Sequence, residues 1–296
     1  MGLVLPEPGP SACLERNPGI NFVMTFRFTG SYYHLCFGIA TAFLLQCPFM
    51  VRRFLSRLFL RFIMPDLDKH LQRTVRAELK RKLIKSRRFQ DLLKARLDCL
   101  DKEEALFGNA PMMGSRMDLL SAAVKCAEDS GAGGLWLEFG VWRGASLNFI
   151  AGCTTNVVYG FDSFEGLPED WVMGKSYKAK KGKRSLQGEL PPVCENARLV
   201  KGLFENTLPD FLEKNPGSVS FVHIDSDLYQ SAKMVLNSLI FREGTVIVFD
   251  EYYNYPSWDQ GEYKAFQEFL AEKNWKAECI GYCPRSGQAG FILRRA

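Results

Sequence analysis

The stretch FVHIDSDLYQS, residues 221–231, decides how this chain is read. Apolar residues run to Ile224, and Asp225 and Asp227 follow, two positions apart. On a strand, residues i and i+2 share one face. Two like charges then meet at the end of a buried strand, where each raises the pKa of the other unless something neutralises them.

Working outward, similar apolar runs recur from about residue 105. Strands are expected at 135–139 (LWLEF), 157–161 (VVYGF), 197–200 (ARLV), 219–224 (VSFVHI) and 245–249 (TVIVF). Helices are expected near 115–129, 145–152, 206–214, 229–239 and 261–273, and 276–283 with 288–294 reads as a closing hairpin. Apolar strands alternating with helices predict an α/β fold with a mostly parallel, doubly wound sheet. Ligands of such a sheet bind beyond the carboxyl ends of its strands.

The residues just after each strand therefore carry the functional reading. EFGVWRGAS, 138–146, follows the first strand; Gly140 and Gly144 permit a tight turn, and Ala145 and Ser146 open a helix whose N–H groups face the crevice. GFDSFEGLP, 160–168, follows the second; Asp162, about 20 residues past the glycine loop, suits the two hydroxyls of a ribose or serves as a helix cap. Asp225 and Asp227 follow the fourth strand, and Asp250 and Glu251 in FDEYYNYP the fifth. Three or four carboxylates at neighbouring strand ends suit a hard cation such as Mg²⁺. The alternative is capping by Asp227 and a surface Glu251.

EFGVWRGAS, GFDSFEGLP, HIDSDLYQS and FDEYY, in that order and spacing, resemble the macrocin O-methyltransferase family over about residues 130–296. The resemblance implies a Rossmann-like class I fold and O-methyl transfer from S-adenosyl-L-methionine (SAM). It implies that Glu138, Gly140 and the loop Val141, Trp142, Arg143, Gly144 to Ser146 lie along the methionine part of SAM. Asp162 and Ser163 would meet the ribose and Phe164 the adenine. Asp225 or Asp227, with Asp250 and Glu251, would hold Mg²⁺ against a hydroxylated small-molecule acceptor, a glycan or lipid-linked sugar among them. Such a metal would lower the pKa of the acceptor hydroxyl and orient it, with Asp227 or Glu251 as proton acceptor where not bound to metal. Asp250-Glu251-Tyr252 departs from the Asp-Asp-Tyr pattern of the family at its second acid. The only histidine among the motifs, His223, is expected to point into the core.

The segment 170–193, long and basic at its centre, falls over the expected crevice and reads either as a mobile lid or as a solvated loop. Trp171, Tyr177, Tyr252, Tyr253, Tyr255 and Trp258 are candidates for an acceptor pocket.

The N-terminal part reads differently. Residues 1–27 are expected to be irregular. Residues 28–51 carry no charge, and RRFLSRLFLRFIM, 52–64, spaces arginines every four residues among apolar ones. Together, 28–64 predicts an α-helical region that spans a bilayer or lies on one, or else a buried apolar element of a homo-oligomer. A span would put the C-terminal domain in the cytoplasm, because the Lys/Arg excess follows it. Residues 65–104 read as a basic helical linker and 105–296 as the methyltransferase domain. The net charge of +5 is unevenly spread: residues 52–98 hold 15 Lys/Arg against 5 Asp/Glu. An anionic surface suits that segment, with nucleic acid unlikely because from Pro65 on no aromatic residue interleaves the charges until Phe89. Nine scattered cysteines without a CxxC pair predict reduced thiols rather than a disulfide framework or zinc site. Two other function classes stand beside the enzyme: a non-catalytic module that keeps the fold for membrane or protein assembly, and a nucleic-acid methyltransferase.

Overall fold

The computed structural model describes the backbone of residues 12–17, 20–28 and 31–36, and residues 86–296 apart from 132. The chain divides into two units, Met1–Lys80 and Arg81–Ala296.

In the first unit, β1 (Ala12–Asn17), β2 (Ile20–Phe28) and β3 (Ser31–Cys36) form an antiparallel sheet in that order. An irregular segment and the start of an apolar helix were expected there. Phe22-Val23-Met24-Thr25-Phe26-Arg27-Phe28 is rich in the aromatic and β-branched residues that suit a pleated surface. Phe28 pairs with Ser31, so only Thr29 and Gly30 separate the strands. The rest of the expected 28–64 membrane segment lies outside the described residues. Among those described, no helix is long and apolar enough to cross a membrane.

The second unit is built on a seven-stranded sheet. Its elements in chain order are α1 (Arg87–Phe107), α2 (Arg116–Asp129), β4 (Leu135–Phe139), α3 (Ala145–Cys153), β5 (Val158–Asp162), the short strands β6 (Trp171–Met173) and β7 (Tyr177–Ala179), β8 (Ala197–Lys201), α4 (Phe204–Lys214), β9 (Val219–Ile224), α5 (Tyr229–Ser238), β10 (Val246–Phe249), α6 (Glu262–Lys273), β11 (Trp275–Cys283) and β12 (Gln288–Arg295). The sheet order is β11-β12-β10-β9-β4-β5-β8. β8, β5, β4, β9 and β10 run parallel, and β12 joins β10 antiparallel and closes a hairpin with β11.

Side chains alternate across this sheet and fill two cores. Leu137, Phe139, Val222, Ile224, Ile247 and Phe249 pack with α1, α4, α5 and α6. Trp136, Phe221, Val246 and Val248 pack with α2 and α3 on the other face. Burial on both faces is why the central strands read as unbroken apolar runs. The unit starts earlier than expected: Cys99 and Phe107 of α1 lie in the first core, and Phe107 stacks on Tyr282 at 4.3 Å. The chain leaves β4 for β5 and β8 on one side, then returns to β9 and β10 on the other, so the order reverses between β4 and β9. That reversal opens the crevice.

Candidate active site

The loop after β4 forms one wall. Gly140 has φ +96°, and a Cβ there would collide with the Asp225 carbonyl, so the loop approaches β9 as only glycine allows. The Gly140 N–H donates to the Phe161 carbonyl at 2.9 Å and the Asp225 N–H to the Phe139 carbonyl at 2.8 Å. Gly144, φ +77°, caps α3, whose second residue, Ser146, is buried. Trp142 is left-handed (φ +48°) and 39% exposed, with the Arg143 guanidinium 4.9 Å from its ring centre.

Asp162 braces this wall. Its Oδ2 accepts from the N–H groups of Val141 (2.9 Å) and Trp142 (2.7 Å), and its Oδ1 from Phe164 N–H (2.8 Å). Ser163 Oγ accepts from Glu165 N–H, and the Phe164 ring is buried in the α2–α3 core. The expected adenine contact therefore sits in the floor of the wall, not on its surface.

The other wall is acidic. Asp225, Asp227 and Glu251 bring carboxylate oxygens within 4.8 Å of one another, and a ring nitrogen of His223 lies equally close to carboxylate oxygens of Asp225 and Asp250. Asp225 Oδ1, Asp227 Oδ1 and Glu251 Oε2 are buried without a hydrogen-bond partner. Asp227 is held at φ +61°, a conformation that aspartate tolerates better than most residues. Burial, then the nearby Asp250 and Asp227, pushes the Asp225 carboxyl well above the usual range. Burial, then the neighbouring carboxylates, does the same to Glu251. Asp227 rises to about 6, burial outweighing the lowering by Arg184.

Three basic groups face these acids. Arg116, the first residue of α2, lies 3.0 Å from Asp250 and 3.5 Å from Asp225. Arg184 lies 3.6 Å from Asp225, 3.7 Å from Asp227 and 4.0 Å from Glu251. His223 is fully buried as expected, but it is also part of the site: Nδ1 meets Glu138 Oε1 at 2.8 Å and Nε2 lies 3.8 Å from Asp250. Against the lowering by burial, Asp250 and Glu138 push its pKa up to about 10. Burial works against ionisation of Asp250 as well, yet His223 and Arg116 hold its carboxyl below the usual range. Glu138 Oε2 is buried without a partner.

Sequence reading missed Arg116 and Arg184. Arg184 arrives on the 170–193 segment, which is laced by hydrogen bonds although half of its residues are exposed. Leu186 and Gly188 N–H donate to the Phe164 carbonyl, Leu167 N–H to Lys183, and Lys201 Nζ to the Gly188 carbonyl at 2.6 Å. β6 and β7 pair within it, and Ser176 donates to Asp91 of α1. Of the aromatic residues expected in an acceptor pocket, Tyr252, Tyr253 and Trp258 are core residues, while Trp171 packs on Tyr255 with ring centres 6.0 Å apart. The six described cysteines are free thiols.

A parallel sheet with this reversal, a glycine loop after its first strand and an antiparallel closing hairpin is the Rossmann-like class I methyltransferase fold. The chain belongs to the macrocin-O-methyltransferase (TylF) family, whose profile matches residues 61–280. The match begins well before residue 130, so the basic 65–104 region falls within the family rather than outside it. A relative, the 8-demethyl-8-(2,3-dimethoxy-alpha-L-rhamnosyl)-tetracenomycin-C 4'-O-methyltransferase of Streptomyces olivaceus, is 29% identical over 159 residues, 46% of this chain and 60% of the relative. Among solved structures, the calicheamicin methyltransferase CalS11 is similar over 70% of this chain and 93% of its own, at 22% identity and TM-score 0.46. The O-methyltransferase NovP is similar over 61% and 80%, at 22% identity and TM-score 0.44.

Proposed function

We propose that the protein is a SAM-dependent, Mg²⁺-assisted O-methyltransferase acting on a hydroxyl of a sugar or another small hydroxylated acceptor. One observation carries this: Asp225, Asp227 and Glu251 converge within 4.8 Å, each with a buried oxygen left unbonded, directly across from the glycine loop. An all-oxygen, like-charged donor set of this kind fits Mg²⁺ better than a softer metal. Family membership supplies the reaction class, and the S. olivaceus relative, named for O-methylation of a rhamnosyl-bearing compound, supports a sugar hydroxyl.

Gly140 lets the 141–146 loop approach the sheet closely enough to hold the methionine part of SAM. Glu138 Oε2, a buried acceptor lacking a donor, fits its ammonium group. Asp162 fixes the loop through Val141 and Trp142 and has lone-pair capacity left for a ribose hydroxyl. Ser163 completes that edge, with the buried Phe164 ring beneath it. Asp225, Asp250 and Glu251 would hold the cation, with Asp227 beside them. Bound here, SAM would supply the electrophilic methyl group, and Mg²⁺ would make the acceptor hydroxyl more acidic. Asp227, pushed up to about 6, is matched to accept that proton near neutral pH. Arg116 and His223 keep Asp250 ionised, and therefore able to ligate, inside the protein.

The test is calorimetric titration of SAM into the full chain with Mg²⁺ and then with EDTA, beside the Asp225→Asn/Asp250→Asn variant. The expected result is micromolar SAM binding in every case, with turnover of a sugar acceptor lost in EDTA and in the variant. A well-folded chain that does not bind SAM would instead be the non-catalytic module. Membrane attachment is a separate reading. It rests on the apolar 37–51 and arginine-bearing 52–64 sequence, and binding of the full chain to anionic vesicles tests it.

A further inference from the structure

One buried carboxylate takes no part in this scheme. Glu262 is the first residue of α6 and is completely buried. Its Oε1 accepts from the Ser226 N–H at 3.1 Å and the Ser226 hydroxyl at 3.3 Å. Its Oε2 accepts from the Glu251 N–H at 3.2 Å. Ser226 sits between Asp225 and Asp227 on the loop after β9, and Glu251 lies on the loop after β10. A single side chain from a third element thus ties together the two loops that carry the unbonded oxygens.

Burying a further acid beside Asp225, Asp227 and Glu251 works against their ionisation. Burial, as the larger cause, and the neighbouring Asp250 and Asp227 push Glu262 itself up to about 8. A carboxylate alone offers acceptors on both arms. A glutamine would turn an NH₂ group against one of the two N–H groups, and an aspartate is one methylene too short to span both loops. The site is also built without slack: Asp227 is left-handed, and Gly140 lies against the Asp225 carbonyl. A shift of either loop then changes the separation of Asp225 and Asp227 from Glu251.

We infer that Glu262 is a positioning residue that sets the spacing of the Asp225–Asp227 loop against Glu251 for a divalent cation. This rests on the metal reading of the site. Carboxylates and imidazoles held in place by outer partners typically lose about 10- to 100-fold in metal affinity when those partners are removed.

The probe is Mn²⁺ alone, with free ion counted by electron paramagnetic resonance against the full chain and without acceptor. Glu262→Gln and Glu262→Asp are both expected to weaken Mn²⁺ binding by about tenfold or more, while SAM affinity, set on the β4–β5 side, stays within about twofold. Glu262→Asp keeps the charge but not the reach. If it binds Mn²⁺ as tightly as wild type, charge and not span is what matters, and the inference falls. Unchanged binding in both variants also overturns it while leaving the metal reading intact. A wild-type chain that does not bind Mn²⁺ overturns the metal reading first and the inference with it. Hydrogen exchange of the wild-type chain covers the case in which a variant does not fold. The Ser226 and Glu251 amides are expected to be protected without metal, and fast exchange at both would refute the bridge.

Discussion

On the β4–β5 side of the crevice, Asp162 commits its carboxylate to three backbone N–H groups. On the β9–β10 side, Asp225, Asp227 and Glu251 each keep a buried oxygen unbonded. The two walls are built from the same motif, an acid at the carboxyl end of a parallel strand, and they end in opposite states. Asp162 is satisfied from within the chain and shapes the loop of its wall before any ligand arrives. The second wall carries repulsion that a bound cation would remove. Shape is thus built into the first wall, and charge is left open in the second.

The largest effect should come from the contact between the walls. Gly140→Ala places a methyl group against the Asp225 carbonyl at a positive φ. A loss of at least about 3 kcal/mol of unfolding free energy is expected, measured by urea denaturation, and SAM binding should disappear with it. Asp162→Asn tests the satisfied wall alone. The amide keeps one acceptor and turns a donor toward backbone N–H groups. About 2 kcal/mol of stability should go, and SAM affinity should fall while Mn²⁺ affinity holds. Equal losses of both ligands would break the division between the walls.

The acidic wall predicts a pH dependence. Folded Asp227 titrates near 6 against an ordinary 3.8, chiefly through burial, and Glu262 near 8 against 4.5. The folded chain holds these protons more tightly than the unfolded one. The stability they contribute is full below the ordinary values and is lost as pH rises through 6 and then 8. His223, at about 10 against 6.5, changes stability in the same direction at higher pH. Mg²⁺ binding relieves the repulsion only once the carboxylates are ionised. The rise in melting temperature on adding Mg²⁺ should therefore be small at pH 5 and grow towards pH 8, as followed by scanning fluorimetry. An increment independent of pH would mean that the cation is not held by these groups.

The division between the walls also explains what the sequence reveals. β4 and β9 were legible to the residue, because fully buried parallel strands are continuous apolar runs between glycines and acids. The acids at their ends were legible because chain order places them. The cations were not. Arg116 reaches Asp250 from α2 and Arg184 crosses from a long segment, so neither pairing leaves any periodicity in the sequence. His223 was legible as buried, but its bond to Glu138 depends on β9 lying beside β4, a neighbour relation rather than a local one. α1 was read as linker because its charges hide the few residues, Cys99 and Phe107 among them, that anchor it.

Arg184 offers the finest test of the open wall. Its guanidinium lies within 4.0 Å of Asp225 and Glu251, two of the groups proposed to hold the cation, and of Asp227 beside them, and 5.9 Å from the Trp142 ring of the glycine loop. It partly offsets their charge, so on the proposed metal reading a divalent ion would compete with it. The side chain is 38% exposed, and solvent screens the contact accordingly. Ion pairs of that exposure contribute no more than about 1 kcal/mol. Arg184→Gln should therefore tighten Mn²⁺ binding by only about two- to fivefold, and the gain should shrink in high salt. Weaker binding in the variant would reverse the assignment. Arg184 would then hold the carboxylates in place for the metal, and the open wall would be shaped in advance after all, as the glycine-loop wall is.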